Sequence, residues 1–196
     1  MDSVIYYFSG TGNSYKMAKT ISEKLGDTQL IKICAENMDL AMANTYSKVG
    51  IVFPVYYFSL PKMVVEFVEN LKLNKDGYIY AVATCGGFVG VSFAHLDKIM
   101  KKKGIKDFST FKLILPDNYQ VLYAPSPKEK QLEIINKANI NLDKIIPLIK
   151  GNALSREDDP SKTISVVGNI AYKTFNPKYK DQNFWADDNC NGCRIW

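Results

Sequence analysis

Short apolar runs rich in β-branched and aromatic residues alternate along this chain with segments of helical periodicity. The runs predict strands at residues 3–8, 28–33, 48–53, 78–84 and 108–115. The periodic segments predict helices at residues 13–25, 61–70, 91–103 and 126–150, the last opening on a capping box of Ser126 and Glu129. Because most strands are apolar throughout, helices should cover both faces of the sheet. The sequence therefore predicts an α/β fold, a three-layer sandwich around a parallel sheet.

The chain divides near residue 151. Residues 1–151 hold every predicted strand and helix, whereas residues 152–196 form a polar C-terminal extension without clear periodicity. No basic region precedes an apolar run at the N-terminus, and the longest apolar stretches are too short to span a membrane. We expect one domain with an appendage, in a soluble cytoplasmic protein whose four cysteines stay reduced or bind metal rather than form disulfides.

The formal net charge of +5 raises the question of nucleic acid. The basic residues are spread along the chain, and the one run, Lys101–Lys103, precedes Gly104, where cations favour the end of a helix. No aromatic-interleaved basic patch or recognition-helix motif accompanies it. The sequence therefore indicates neither a nucleic-acid partner nor a membrane partner.

The loop after the first strand is the most informative motif, and it reads Ser9-Gly10-Thr11-Gly12-Asn13-Ser14. Two glycines allow a tight turn that gathers backbone N–H groups, and the helix that follows adds its dipole. The hydroxyls supply further donors, so this loop suits a phosphate without any cationic side chain. It is neither a Walker loop nor G-x-G-x-x-G. Taken alone, it is equally well read as a glycine-containing βα turn without a ligand.

Two further strand-end loops favour a ligand. Three aromatic side chains follow the third strand at residues 56–58, where a flat conjugated ring is a natural partner, and residues 84–88 offer free backbone amides for the polar edge of a heterocycle. An anion cradle, an aromatic wall and an amide-rich loop together predict a site for flavin mononucleotide (FMN). The predicted cofactor-binding residues are Ser9, Gly10, Thr11, Gly12, Asn13, Ser14, Pro54, Val55, Tyr56, Tyr57, Phe58, Thr84, Cys85, Gly86, Gly87 and Phe88.

These motifs, with Pro116-Asp117-Asn118-Tyr119, resemble those of flavodoxin-like domains over roughly the first 150 residues. With the terminal Cys190-Asn191-Gly192-Cys193, the chain is similar to the family in which a flavodoxin domain precedes a ferredoxin-like module. The resemblance implies a five-stranded parallel sheet in the order 2-1-3-4-5, with FMN at the switch point. It places the first loop on the phosphate, residues 56–58 against the isoalloxazine and residues 84–88 near the pyrimidine edge. Asn118 and Tyr119 are added as residues that could reach over the flavin.

The sequence departs from that family in three ways. The second loop lacks the glycine at which many flavodoxins flip a peptide, and a flip to positive φ would cost a non-glycine residue about 1 kcal/mol or more. The chain is basic, whereas flavodoxins are usually acidic. A cluster motif needs four cysteines, but only Cys190 and Cys193 are present and Trp196 takes the third place. We therefore expect no bound iron–sulfur cluster and no other metal.

Three functions fit the motifs. The first is an FMN-binding electron-transfer protein that shuttles electrons between redox protein partners. The second is an enzyme, an NAD(P)H-dependent quinone or flavin reductase, and the third is a phosphate-loop scaffold without redox chemistry. No catalytic residue is predicted. His95 has no nucleophile or carboxylate at productive spacing and is expected to pack or face solvent, and Cys85 has no neighbouring base.

Overall fold

The computed structural model describes residues 2–36, 42–43, 45–117 and 124–157, together with the alternate helical residues 166, 168, 170, 172 and 174. Over residues 2–157 of this described part, strands and helices alternate as the sequence predicts, whereas the helical residues between 166 and 174 were not predicted. In chain order the elements are β1 (Ser3–Tyr7), α1 (Asn13–Leu25), β2 (Thr28–Lys32), β3 (Met42–Ala43), β4 (Lys48–Pro54), α2 (Lys62–Asn70), β5 (Lys72–Leu73), β6 (Tyr78–Cys85), α3 (Ser92–Lys102), β7 (Ser109–Ile114) and α4 (Lys128–Lys150).

Five of these strands form one parallel sheet in the order β2-β1-β4-β6-β7. Counting only the strands of this sheet, the order along the chain is 2-1-3-4-5, which confirms the expected fold. The chain leaves β1 toward β2 and then crosses back to β4, so the switch point lies between β1 and β4. The sequence did not predict β3 and β5, which pair with each other in a separate two-stranded sheet.

Apolar side chains fill both sides of the sheet, as expected of strands that helices cover on two faces. All eight residues of β6, the strand between β4 and β7, are buried. On one face, Phe67 of α2 and Leu96 of α3 join the core, and on the other, Ile21 of α1 and Leu142 of α4 do so. The three-layer sandwich is therefore confirmed.

The expected capping box at the start of α4 is wrong. The helix begins at Lys128 with Pro127 at its N-cap, and no side chain caps it. Pro127 has extended backbone angles (φ −50°, ψ 149°), which leaves Ser126 one residue outside the position that a capping hydroxyl needs. Instead, the Ser126 carbonyl accepts a hydrogen bond of 2.6 Å from the Gln131 side-chain amide.

The first residues of the C-terminal extension run along the edge strand β7. The Thr110 amide donates to the Ser155 carbonyl at 2.8 Å, and the Glu157 amide donates to the Thr110 hydroxyl at 2.8 Å. Arg156 pairs with Asp97 of α3 at 3.2 Å and lies 4.8 Å from the centre of the Phe108 ring. These contacts cover an otherwise unpaired strand edge. None of the helices in the described residues is long and apolar enough to cross a membrane.

Candidate functional site

Four loops at the carboxyl ends of β1, β4, β6 and β7 meet around one cleft. The cleft has a volume of about 420 Å³, part of which is open to solvent. It lies at the switch point, where ligands bind in open α/β sheets. Its lining residues are Ser9, Gly10, Thr11, Asn13, Ser14, Pro54, Val55, Tyr56, Thr84, Cys85, Gly86, Leu115, Pro116 and Asp117.

The first loop turns at Gly12, whose φ of 95° suits glycine because a side chain there would be strained. The Gly12 amide donates to the Ser9 hydroxyl at 3.1 Å, which closes the loop on itself. Helix α1 starts at the next residue, so its first-turn amides, which have no intrahelical partner, lie at the cleft. The loop has the geometry of a helix N-terminal anion site.

Ser14 lines the cleft and also links the loops to one another. Its side chain is buried, and its hydroxyl lies 2.8 Å from that of Thr84 at the end of β6. The Thr84 carbonyl in turn accepts a 2.9 Å hydrogen bond from the Val55 amide. Ser14 and Thr84 therefore tie the first, second and third loops together.

The residues of the fourth loop that line the cleft, Leu115, Pro116 and Asp117, were not among the predicted cofactor-binding residues, although the neighbouring Asn118 and Tyr119 were named as residues that could reach over the flavin. Leu115 donates its amide to the Cys85 carbonyl at 2.9 Å, and the Asn13 side-chain amide donates to the Pro116 carbonyl at 3.1 Å. The Asp117 side chain packs against Gly86, where an added Cβ would lie only 2.8 Å from its own Cβ. The signal was available in the predicted strand order, because the strand that ends at residue 115 lies beside β6.

The second loop is a tight hairpin from Tyr56 to Ser59, whose backbones exchange two hydrogen bonds of 2.9 Å. Its two central residues, Tyr57 and Phe58, have φ values of 46° and 62°. This left-handed pair is the geometry of a type I′ turn, where asparagine and glycine are usual. Each bulky residue held there stores about 1 kcal/mol or more of strain. Positive φ in this loop is thus already present in the fold, although the loop has no glycine.

The structure brings most, but not all, of the predicted site residues to the cleft. Tyr56 lines it, with its hydroxyl against Gly10 and its ring edge-on to Phe8 at 6.0 Å. Phe58 and the exposed Phe88 stack on each other, with ring centres 5.5 Å apart, and neither lines the cleft. Asn118, Tyr119, Cys190 and Cys193 lie outside the described residues. The predicted residues that do not line the cleft are Gly12, Tyr57, Phe58, Gly87 and Phe88.

The chemistry of the cleft is that of hydroxyls, amides and aromatic carbon. Among the residues that line it, Asp117 alone carries a formal charge, and no lysine or arginine takes part. Burial raises the pKa of Cys85 to about 11, so its thiol stays protonated at neutral pH and is a poor nucleophile. Burial also raises the pKa of Tyr56. The cleft is therefore suited to binding an anion through dipoles and a flat ring through Tyr56 rather than to nucleophilic catalysis.

His95 of α3 contacts the second loop rather than the cleft itself. Its Nδ1 atom lies 3.1 Å from the hydroxyl of Ser59, the residue that closes the hairpin. Burial lowers the pKa of His95, and Lys98 and Lys102 lower it further, whereas Glu69 opposes them. The sequence left open whether this residue packs or faces solvent, and its side chain is half-buried.

The lowered pKa of His95 predicts a loss of stability in mild acid. The unfolded chain takes up a proton at this side chain more readily than the folded chain, so the free energy of unfolding should decrease as the pH falls from about 7 to about 5. His95 is the only histidine of the chain. Urea unfolding across that range should therefore show a flatter pH dependence for His95→Gln. Equal slopes for the two proteins would contradict this prediction.

The chain is similar to known proteins both in sequence and in fold. The family model described as "Flavodoxin domain" matches residues 4–142. No curated protein sequence matches the chain significantly. The azoreductase of Bacillus anthracis str. Sterne has a TM-score of 0.50 at 11% identity, covering 77% of this chain and 100% of its own.

Two further solved structures are similar to the chain, with lower TM-scores. The flavodoxin of Streptococcus pneumoniae TIGR4 has a TM-score of 0.42 at 16% identity, covering 73% of this chain and 98% of its own. Rubredoxin oxygen:oxidoreductase of Desulfovibrio gigas has a TM-score of 0.43 at 14% identity and covers 75% of this chain. This chain spans only 36% of the length of that oxidoreductase. The structural likeness concerns the fold, whereas the sequence match covers most of the chain, and the chain therefore belongs to the flavodoxin domain family.

Proposed function

We propose that the chain binds FMN in the cleft and carries electrons through it between redox protein partners. The observation that carries this proposal is the glycine loop at the N-terminus of α1, which opens into the same cleft as the ring of Tyr56. A phosphate is stabilised by helix amides and dipole without a cation, and an aromatic side chain suits the face of a flavin ring. Membership of the flavodoxin domain family supports the same ligand.

The residues present fit FMN. Glycine at position 10 lets the Tyr56 hydroxyl approach the first loop closely, because a Cβ there would collide with it, and this brings the expected phosphate and ring positions into one cleft. Ser9, Thr11 and Asn13 would hold the phosphate, and Tyr56 would lie against the isoalloxazine. The backbone of residues 84–86, beside Asp117, would meet the pyrimidine edge. When bound, FMN supplies the redox chemistry, and the protein supplies binding, orientation and electrostatic tuning.

Titration of the purified full chain with FMN tests this proposal. We expect a shift of the flavin absorption bands, quenching of flavin fluorescence and a dissociation constant in or below the micromolar range, roughly −8 kcal/mol of binding free energy. Riboflavin should bind more weakly because it lacks the phosphate. Reductive titration of the complex should then show reversible flavin reduction. Absence of binding at micromolar FMN would contradict both redox functions and leave the phosphate-loop scaffold.

A reductase is the second candidate, and one observation favours it. Of the three aromatic residues in the second loop, only Tyr56 lines the cleft, so this loop crowds the flavin position less than its sequence suggests. A reductase needs space for a nicotinamide or a quinone beside the ring, and the side of the cleft that is open to solvent is where that space would lie. Steady oxidation of NADPH with a quinone in the presence of FMN would favour this candidate over a carrier, whereas reduction that requires a protein donor would favour the carrier.

The C-terminal extension is not assigned a redox group in this proposal. Its cysteine pair at positions 190 and 193 is similar to the start of a ferredoxin cluster motif. The redox group that we propose for this chain is the flavin bound by the loops of the first 151 residues.

A further inference from the structure

The C-terminal extension returns to the second loop of the cleft. Gly168 is buried, and a Cβ at this position would lie 3.1 Å from Val91 Cγ1 and 3.4 Å from Phe58 Cβ. Its helical neighbours Val166 and Ile170 are each 59% exposed. One face of this segment is therefore packed against the loop, and a glycine stands at the point of closest approach.

A second contact of the same segment lies four residues further on. The Tyr172 ring meets the His95 ring edge-on, with ring centres 5.3 Å apart. Residues four apart share one face of a helix, so Gly168 and Tyr172 belong to the same packed face. Because His95 lies 3.1 Å from the Ser59 hydroxyl, this face contacts Phe58 directly and Ser59 through His95.

These two contacts lie on either side of Phe58, one of the two residues of the hairpin that have positive φ. Phe58 holds a φ of 62° while its carbonyl accepts a 2.6 Å hydrogen bond from the Val91 amide. Val91 is also the residue that Gly168 approaches most closely. A left-handed conformation in a bulky residue persists only where the surrounding structure enforces it. Gly168 packs against both partners of the hydrogen bond that holds Phe58 in place.

The path of the extension supports the same docking. Arg156 pairs with Asp97, which lies on α3 two residues after His95. Arg156 and Tyr172 of the extension thus both contact α3. Its contacts with the first domain involve β7, α3 and the loop that carries Tyr56.

We propose that Gly168 and Tyr172 are positioning residues, which hold the Tyr57–Phe58 turn in its left-handed form and thereby orient Tyr56 in the cleft. The inference rests on the proposed function for its flavin readout, but the contact itself is independent of any ligand. The C-terminal extension is, in this role, a structural part of the flavin site.

The test compares Gly168→Leu and Tyr172→Ala with the exposed controls Val166→Ala and Ile170→Ala. The first readout is hydrogen exchange at the Val91 amide in the protein without flavin. We expect both positioning variants to speed that exchange about tenfold or more, with exchange at Ile51 in the core unchanged. The control variants should leave the exchange rate of the Val91 amide unchanged. Tyr172→Ala only truncates a side chain of the extension, so it keeps the test valid if Gly168→Leu folds poorly.

The second readout is flavin affinity. Because the turn orients the residue that contacts the flavin ring rather than the phosphate, both variants should lower the affinity for FMN and for riboflavin by the same factor, about tenfold. Unchanged exchange at Val91 in both variants would overturn the inference. Faster exchange with unchanged flavin affinity would overturn the positioning role. If the wild-type chain binds no flavin, the proposed function fails, and the contact with the turn is then decided by exchange alone.

Discussion

Replacing Gly90 with alanine is expected to lower the free energy of unfolding by about 3 kcal/mol and to abolish tight flavin binding. Gly90 has a φ of 58°, a conformation that costs an alanine about 1–2 kcal/mol. The added Cβ would also lie 2.7 Å from the carbonyl carbon and 2.8 Å from the Cα of Phe58. Both atoms are backbone of the hairpin that the next residue, Val91, holds by a hydrogen bond. The clash therefore separates the second and third loops.

Chemical denaturation of the two proteins measures the stability effect, and FMN titration measures the effect on the cleft. Gly87→Ala is the matched stability control, because an added Cβ there meets nothing within 4 Å and the backbone does not have positive φ. Its free energy of unfolding should stay within about 0.5 kcal/mol of the wild type. Equal losses in the two variants would show that the approach of Phe58 to Gly90 does not limit stability.

The parts of the fold that local sequence determines were predictable. Most sheet strands are short apolar runs, and the fully buried Tyr78–Cys85 illustrates why periodicity of two is absent in a strand covered on both faces. The first loop was identifiable because glycine and short hydroxyl residues between a strand and a helix predict a tight turn from the local sequence alone. Where that loop lies relative to the other loops follows from the strand order, which the family resemblance supplied.

What could not be predicted depends on contacts between distant residues. The direction of the Phe58 side chain follows from a left-handed turn that its sequence disfavours, and the turn is enforced by Gly90 and Val91. Likewise, Asp117 reaches the cleft because it packs on Gly86 of another loop. Gly168 carries no local signal, since a single glycine gives no indication of what it contacts. These features are specified by tertiary packing rather than by propensity.

Placing a carboxylate in the first loop is expected to weaken FMN binding about 100-fold while leaving riboflavin binding unchanged. Thr11 is exposed and lines the cleft one residue before the Gly12 turn. In Thr11→Asp, the new charge would repel the phosphate, and two unit charges 4 Å apart near a protein surface interact by about 4 kcal/mol. Solvent screening reduces this repulsion, which is why about 100-fold is expected rather than the full Coulomb value.

Thr11→Asn is the matched control, because it has nearly the same shape as the aspartate variant without its charge. The aspartate should not weaken the fold, since an acidic residue near the N-terminus of α1 interacts favourably with the helix dipole. The ratio of FMN to riboflavin affinity, measured at low and high salt, therefore isolates the phosphate. A ratio that falls for Thr11→Asp alone, and recovers partly in high salt, places the phosphate at α1. If Thr11→Asp lowers the affinities for FMN and riboflavin by the same factor, the first loop acts on the ring and the proposed orientation of FMN is wrong.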